Sequence, residues 1–161
     1  MIGVALATAA AGQDLPAAAR AELDRSFPGW IMAESAPQLL DWFQESGFAW
    51  RPSLIRADFD GDGQPDYAVR VIAGERERVV ALLARGTAYQ LFPLADDPPD
   101  RFTFLVLYRK GEKDFDYVYR QDSIGVLYFA KRSVAFEWNG SNFVRRVTPG
   151  DEEAGDARDN R

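Results

Sequence analysis

The sequence contains neither cysteine nor histidine. The lack of cysteine excludes disulfide bonds and thiol nucleophiles, and the lack of histidine excludes Ser-His-Asp triads and the commonest general base near neutral pH. Zinc sites of the usual ligand types are excluded for the same reason. Much of enzyme chemistry is therefore closed to this chain, and we expect a binding role rather than catalysis.

The chain also has no excess of basic residues. Its 161 residues carry a formal net charge of -6, which comes mainly from residues 58–66 and from the segment 149–161. The remainder is close to neutral, so we expect no basic face for nucleic acid or anionic lipid. Because the segment 149–161 has no apolar residues beyond two alanines, it is predicted to be a disordered acidic tail.

No apolar run is long enough to span a bilayer. Residues 2–11 are apolar and have the length of a signal-peptide core, with the small residues Ala9 and Ala11 placed for cleavage before Gly12. No Lys or Arg precedes this run, so an Ala-rich helical start is the alternative. We expect residues 1–11 to be a signal-peptide remnant, residues 12–148 to form one domain, and the protein to be periplasmic or secreted.

Helical patterns are confined to the first part of the domain. Asp14 and Pro16 predict the start of a helix over 17–27, and a second helix is predicted from Ser35 to Gly47, with an apolar face at Leu39, Trp42 and Phe43. After Phe48 the pattern alternates and predicts strands at 54–57, 67–72, 79–84, 89–93, 102–108, 124–130, 134–138 and 143–147. The predicted fold is α+β, with two N-terminal helices packed on a curved, mainly antiparallel sheet of about seven to eight strands.

Residues 58–66 form the one segment with a clear chemical pattern. They read Asp-Phe-Asp-Gly-Asp-Gly-Gln-Pro-Asp, so that four carboxylates alternate with other residues and two glycines allow a tight turn. Calcium prefers six to eight oxygen ligands, whereas Mg²⁺ prefers fewer protein ligands and tighter geometry. The predicted Ca²⁺ ligands are Asp58, Asp60, Asp62, the backbone carbonyl of Gln64, and Asp66; a solvated acidic turn is the alternative.

This segment resembles the calcium loop of FG-GAP and integrin-type β-propeller repeats, which share the pattern Asp-x-Asp-Gly-Asp-Gly-x-x-Asp. Its first nine positions are also similar to an EF-hand loop. An EF-hand has a bidentate Glu at position 12, where this chain has Val69. The predicted flanking strands favour the FG-GAP type, and the resemblance implies a strand-loop-strand calcium site. A single copy excludes a propeller built from this chain alone.

Two other functional hypotheses remain open. A hydrolase of cell-wall or other polysaccharide needs two acids at a suitable separation, and the candidates are Glu112, Asp114, Asp116 and Asp122. A carbohydrate-binding module would use exposed aromatic faces, and the candidates are Trp30, Trp42, Trp50 and Trp138. The favoured hypothesis is an exported, non-catalytic calcium-binding domain with a protein or cell-envelope glycan as partner; the sequence does not specify an oligomeric state.

Overall fold

The computed structural model describes residues 14–128 and 132–147. The predicted signal-peptide remnant 1–11 and the acidic tail 149–161 lie outside the described residues, as does the end of the predicted strand 124–130. Among the described residues, neither helix has the length and apolar character needed to cross a bilayer.

The described residues form two helices and eleven strands. The helices are α1 (Ala17–Ser26) and α2 (Pro37–Ser46). The strands are β1 (Ile31–Met32), β2 (Leu54–Ala57), β3 (Asp66–Ala73), β4 (Arg76–Arg85), β5 (Ala88–Asp97), β6 (Thr103–Tyr108), β7 (Lys113–Asp114), β8 (Tyr117–Val118), β9 (Ser123–Tyr128), β10 (Arg132–Trp138) and β11 (Phe143–Val147).

These strands are divided among three antiparallel sheets. In the first sheet, β1 and β2 both pair with β3, which is followed by β4 and β5. The second sheet has the order β11-β10-β9-β6, and β7 with β8 forms a separate short hairpin. Pro98 and Pro99 directly follow β5 and have no N–H to donate to a ladder. The chain therefore leaves the first sheet there and begins the second sheet with β6.

The two larger sheets pack face to face around the central core. The first sheet and the loop after β2 contribute side chains such as Ile55, Phe59 and Leu83, and the second sheet contributes side chains such as Leu105 and Val126. All five are fully buried. Burial of this apolar surface from both sides is the main force that holds the sheets together.

Each helix packs on the outer face of a different sheet. Ala19 and Leu23 of α1 are fully buried and belong to a cluster with alternate residues of β3 and β4, such as Val69. Leu39 and Phe43 of α2 pack instead against Phe104 of β6. Strands β3 and β4 are thus covered on both faces, which explains their nearly continuous apolar sequence.

The predicted α+β fold class is wrong. The fold is mostly β, with eleven strands in three sheets and two helices of ten residues each, so the prediction of two helices on one sheet of about seven to eight strands does not hold. Alternation of apolar residues indicates where strands lie, but it does not indicate which strands share a sheet. The short strands β1, β7 and β8 have only two residues each, too few for a period to be visible.

A buried ion pair joins the first sheet to the segments that leave it. Arg70 Nε donates to Glu77 Oε1 at 2.7 Å, and both side chains are buried. Arg70 also donates to Ser35 Oγ and to the carbonyl of Asp100, while the backbone N–H of Asp100 donates to Glu77 Oε2. Strands β3 and β4, the segment before α2 and the crossover to the second sheet therefore meet at one charged pair.

Strand β5 is an edge of the first sheet and is irregular. Its pairing with β4 shifts register between Val79 and Val80, and Val80 is paired with Pro93. Proline cannot donate a ladder hydrogen bond, so it is confined to edges and bulges of sheets. Asp96 and Asp97 are the last two residues of β5, and Asp96 Oδ1 accepts a hydrogen bond from Arg76 Nε at 2.7 Å.

We expect the Glu77→Leu variant to lose about 3–5 kcal/mol in free energy of unfolding, because Arg70 would be left as an uncompensated buried charge. The Arg70→Met/Glu77→Leu double variant should recover most of this loss, since apolar pairs often replace buried ion pairs at little cost. Urea unfolding at neutral pH measures both. A double variant as unstable as Glu77→Leu would contradict this account.

We expect Gly125→Ala to lower the free energy of unfolding by about 3 kcal/mol, at the upper end of the range for overpacking. A Cβ at Gly125 would overlap Val106 Cγ2 and would lie 2.6 Å from Tyr108 Cε2. Gly74→Ala is the control, because Gly74 has open space around it but a φ of +63°, which costs about 1 kcal/mol. Equal losses in the two variants would exclude the clash.

Candidate metal centre

The acidic loop, residues 58–65, connects two adjacent antiparallel strands. Strand β2 ends at Ala57 and β3 begins at Asp66, and these two residues are paired across the ladder. Strands therefore flank the loop on both sides, whereas helices flank an EF-hand loop. The ladder fixes both ends of the loop and confines its carboxylates to a small volume.

The loop folds around the carboxylate of Asp58. Asp58 Oδ1 accepts from the backbone N–H groups of Gly61 and Asp62 at 2.8 and 3.1 Å, and Oδ2 accepts from Gly63 at 2.9 Å. Gly61 and Gly63 have φ values of +78° and +85°, a region that side-chain-bearing residues rarely adopt. These two glycines let the chain turn tightly enough for its N–H groups to point at one side chain.

Phe59 anchors the loop in the core. Its side chain is fully buried in the cluster between the two large sheets. Its backbone N–H donates to Asp66 Oδ2 at 2.8 Å. The apolar ring at the second position of the loop therefore points inward, while the carboxylates on either side of it, Asp58 and Asp60, lie closer to the surface.

Asp66 is a fully buried carboxylate that connects the loop to β4 through hydrogen bonds. While Oδ2 accepts from Phe59, Oδ1 accepts from the backbone N–H of Ala84 at 2.8 Å. Burial raises the pKa of Asp66 to about 6, and the two backbone donors oppose the rise. The nearby carboxylate of Asp60 also raises this pKa. Asp66 is thus held where negative charge is costly.

The structure brings together three of the five predicted ligands. One carboxylate oxygen from each of Asp58, Asp60 and Asp66 lies within 4.8 Å of the other two. Ligand oxygens around one Ca²⁺ lie within about 5 Å of each other, twice the metal–oxygen distance. The spacing of the three carboxylate oxygens is therefore within the range found for oxygens around a single calcium ion.

The other two predicted ligands, Asp62 and Gln64, lie at the exposed rim of the loop. Asp62 Oδ1 accepts from the backbone N–H of Gln64 at 2.8 Å, and Oδ2 accepts from the Gln64 side-chain amide at 3.2 Å. Asp62 is not part of the converging group. These two residues stabilise the turn in the structure, and their predicted role as ligands stays a prediction.

A cation from β4 contacts the same group of carboxylates. Arg85 Nη1 donates to Asp60 Oδ2 at 2.6 Å. Arg85 is not among the site residues predicted from the sequence, although the pairing of Tyr67 with Leu82 carries β4 past the end of the loop. Counting residue pairs outward from the turn at Gly74, along β3 and β4, would have placed Arg85 beside the loop.

The loop is also in contact with the segment that precedes β9. A Cβ atom at Gly61 would lie 3.1 Å from Gln121 Oε1 and 3.2 Å from Nε2. The side-chain amide of Gln121 therefore packs over Gly61, and any larger residue at Gly61 would displace it. Glycine at this position serves both the backbone turn and this close approach.

The four carboxylates of the hydrolase hypothesis mostly serve local turns. Glu112 accepts from the backbone N–H of Arg109 at 2.9 Å, and Asp122 accepts from the backbone N–H of Lys110 at 2.8 Å. Asp114 accepts from the Tyr119 hydroxyl at 3.4 Å. Asp116 is exposed at the β7–β8 turn. No pair among them is singled out as acid and base, and the hydrolase hypothesis stays a prediction.

The four tryptophans are dispersed over the fold. Trp50 and Trp138 pack against the central core, and Trp30 packs against the α1 cluster. Trp42 is 44% exposed and lines an apolar groove of about 400 Å³. The other residues that line this groove are Gln38, Leu39, Phe102 and Phe104. A sugar site needs several convergent polar groups beside its aromatic faces, and among these side chains Gln38 alone is polar.

The acidic loop is the basis on which function is inferred for this chain. Within the two described segments, Asp58, Asp60 and Asp66 form the one group of three or more acidic side chains whose oxygens converge. Comparison of the chain with models of protein families, with curated proteins and with solved structures found no match. The geometry of this loop is therefore the main indication of function in the described residues.

We expect Asp66→Asn to lower the free energy of unfolding by about 1–3 kcal/mol in EDTA at about pH 5, because the amide nitrogen cannot accept and one buried backbone N–H loses its partner. At this pH, below the raised pKa of about 6, the Asp66 carboxyl of the folded wild type is already largely neutral, so the substitution removes little buried charge. Asp62→Asn is the control, since its contacts are exposed and the expected change is within about 0.5 kcal/mol. Urea unfolding followed by tryptophan fluorescence measures both. Equal stability of the two variants in EDTA would show that Asp66 does not hold the loop.

Proposed function

We propose that this chain is an exported, non-catalytic calcium-binding domain, in which Ca²⁺ joins the β2–β3 loop to the start of β3. The observation that supports the proposal most directly is the convergence of Asp58, Asp60 and Asp66 within 4.8 Å. The resemblance of residues 58–66 to FG-GAP calcium loops supports the same ion. A protein or a cell-envelope glycan is the proposed class of partner for the domain.

The bound ion would act first on electrostatics. Three carboxylates at this spacing repel one another, and Asp66 is additionally deprived of solvent. Calcium would offset both costs, because it supplies positive charge and oxygen coordination in the place where water is excluded. Asp62, the Gln64 carbonyl and water are the groups proposed to complete its coordination.

The proposed role of the ion is structural rather than signalling. Counted from Asp58 as position 1, position 12 is Val69 of β3, which is buried and apolar. The bidentate Glu that strengthens EF-hand sites is therefore missing. We therefore expect a dissociation constant on the order of 10⁻⁴ to 10⁻³ M, as in extracellular calcium modules. An ion that binds the folded loop alone adds stability by mass action.

Calcium titration by calorimetry is the direct test. We expect one site per chain, and a gain in free energy of unfolding of about 2.7 kcal/mol when free calcium is 100 times the dissociation constant. Asp60→Asn should abolish this gain, because it removes one of the three converging carboxylates. Asp116→Asn removes the same charge from an exposed turn and should leave calcium binding unchanged.

Two results would contradict the proposal. The first is a wild-type melting temperature that is the same in calcium and in EDTA. The second is a calcium-dependent rise in melting temperature that Asp60→Asn and Asp116→Asn reduce equally, because such a rise would reflect general screening of negative charge rather than a site.

A further inference from the structure

The guanidinium of Arg85 lies against the acidic loop. It is the last residue of β4, and its backbone remains in the ladder through pairing with Ala88. Its guanidinium donates from Nη1 to Asp60 Oδ2 at 2.6 Å and to the carbonyl of Ala84 at 2.8 Å, and from Nε to Gln90 Oε1 at 3.3 Å. The side chain therefore brings a full positive charge to one of the three converging carboxylates.

The partners of the three carboxylates differ in kind. Asp58 and Asp66 accept from neutral backbone N–H groups. A carboxylate oxygen has two lone pairs, so an oxygen that accepts one N–H group can still coordinate a metal ion. Asp60 Oδ2 is bound to a guanidinium instead, and two cations at bonding distance from the same oxygen repel each other strongly.

The two members of this ion pair differ in exposure. The Asp60 side chain is 7% exposed, whereas the Arg85 side chain is 38% exposed. Asp60 is held within the loop, where its Oδ1 accepts from the backbone N–H of Asp62. Arg85 can rotate toward solvent without loss of its ladder pairing, because that pairing uses only backbone atoms. Arg85 is thus the member that can move when a cation competes for Asp60.

We propose that Arg85 is the internal counter-ion of the acidic loop: it stabilises the calcium-free loop and competes with Ca²⁺ for the carboxylate of Asp60. This inference rests on the proposed function, since it assumes that the loop binds calcium. It adds that the chain itself weakens the site. Competition from one ion pair with a partly exposed arginine corresponds to about a fivefold loss of calcium affinity.

Calorimetric titration of the full chain with calcium chloride tests the inference through Arg85→Gln. We expect this variant to bind calcium about fivefold more tightly than wild type. Arg76→Gln is the control, because Arg76 is at the opposite end of the same strand and pairs with a more exposed aspartate, Asp96, at 2.7 Å. This control should keep wild-type affinity, and Arg85→Lys, which keeps the charge, should stay within about twofold of wild type.

Thermal melting separates a counter-ion from a merely structural residue. Arg85→Gln should melt below wild type in EDTA but close to wild type in saturating calcium, because the ion replaces the missing charge. A structural role would lower both melting temperatures equally. Arg76→Gln provides the reference, since any effect of its lost ion pair should be the same in EDTA and in calcium.

The outcomes distinguish the two proposals. If wild type binds calcium and Arg85→Gln binds no more tightly than Arg76→Gln, the counter-ion role is overturned while the calcium site stands. If neither wild type nor Arg85→Gln binds calcium, the proposed function fails and the inference fails with it. If Arg85→Gln binds calcium and wild type does not, Arg85 blocks the site and the inference is supported.

Discussion

The buried carboxylate of Asp66 is the contact on which the loop and its surroundings depend. Through one oxygen it holds the backbone of Phe59, and through the other it holds the backbone of Ala84 on the neighbouring strand. The same side chain belongs to the converging acidic group. A charge placed in the core is costly by itself, and here two backbone donors whose positions are fixed by the sheet offset part of that cost. The acidic loop is therefore part of the core rather than an attachment to it.

The electrostatics of the loop follow from this placement. Neutral N–H groups bind Asp58 and Asp66, while a guanidinium from β4 binds Asp60. Fixed backbone dipoles can remain in place when the charge beside them changes, whereas a long cationic side chain can exchange. The loop thus combines a rigid part, set by the ladder and by Phe59, with one replaceable contact. This division is the basis of our proposal that Arg85 competes with calcium for the loop.

Part of this organisation was predictable from the sequence. The long strands follow the alternating segments because each has apolar side chains that pack against a core cluster, and the aspartate spacing placed the acidic loop between two of them. The fold class was wrong because the division into sheets depends on which strands pair after the chain leaves the first sheet at Pro98 and Pro99. It also depends on which faces the helices cover, and neither the pairing nor the covered faces have a local pattern. The buried pair of Arg70 and Glu77 was not visible either, since charged residues in strands usually face solvent. Arg85 was missed because its role depends on register across a hairpin and not on its neighbours in sequence.

The irregular edge of the first sheet opposes association between copies of the chain. Unpaired sheet edges can add strands from other molecules and so promote aggregation. On β5 this process is opposed by Pro93, by the bulge beside it and by the acidic end of the strand at Asp96. On β11, one of the two edges of the second sheet, exposed Arg145 and Arg146 supply charge. The features that make these strands imperfect thus protect the domain from growing into larger sheets.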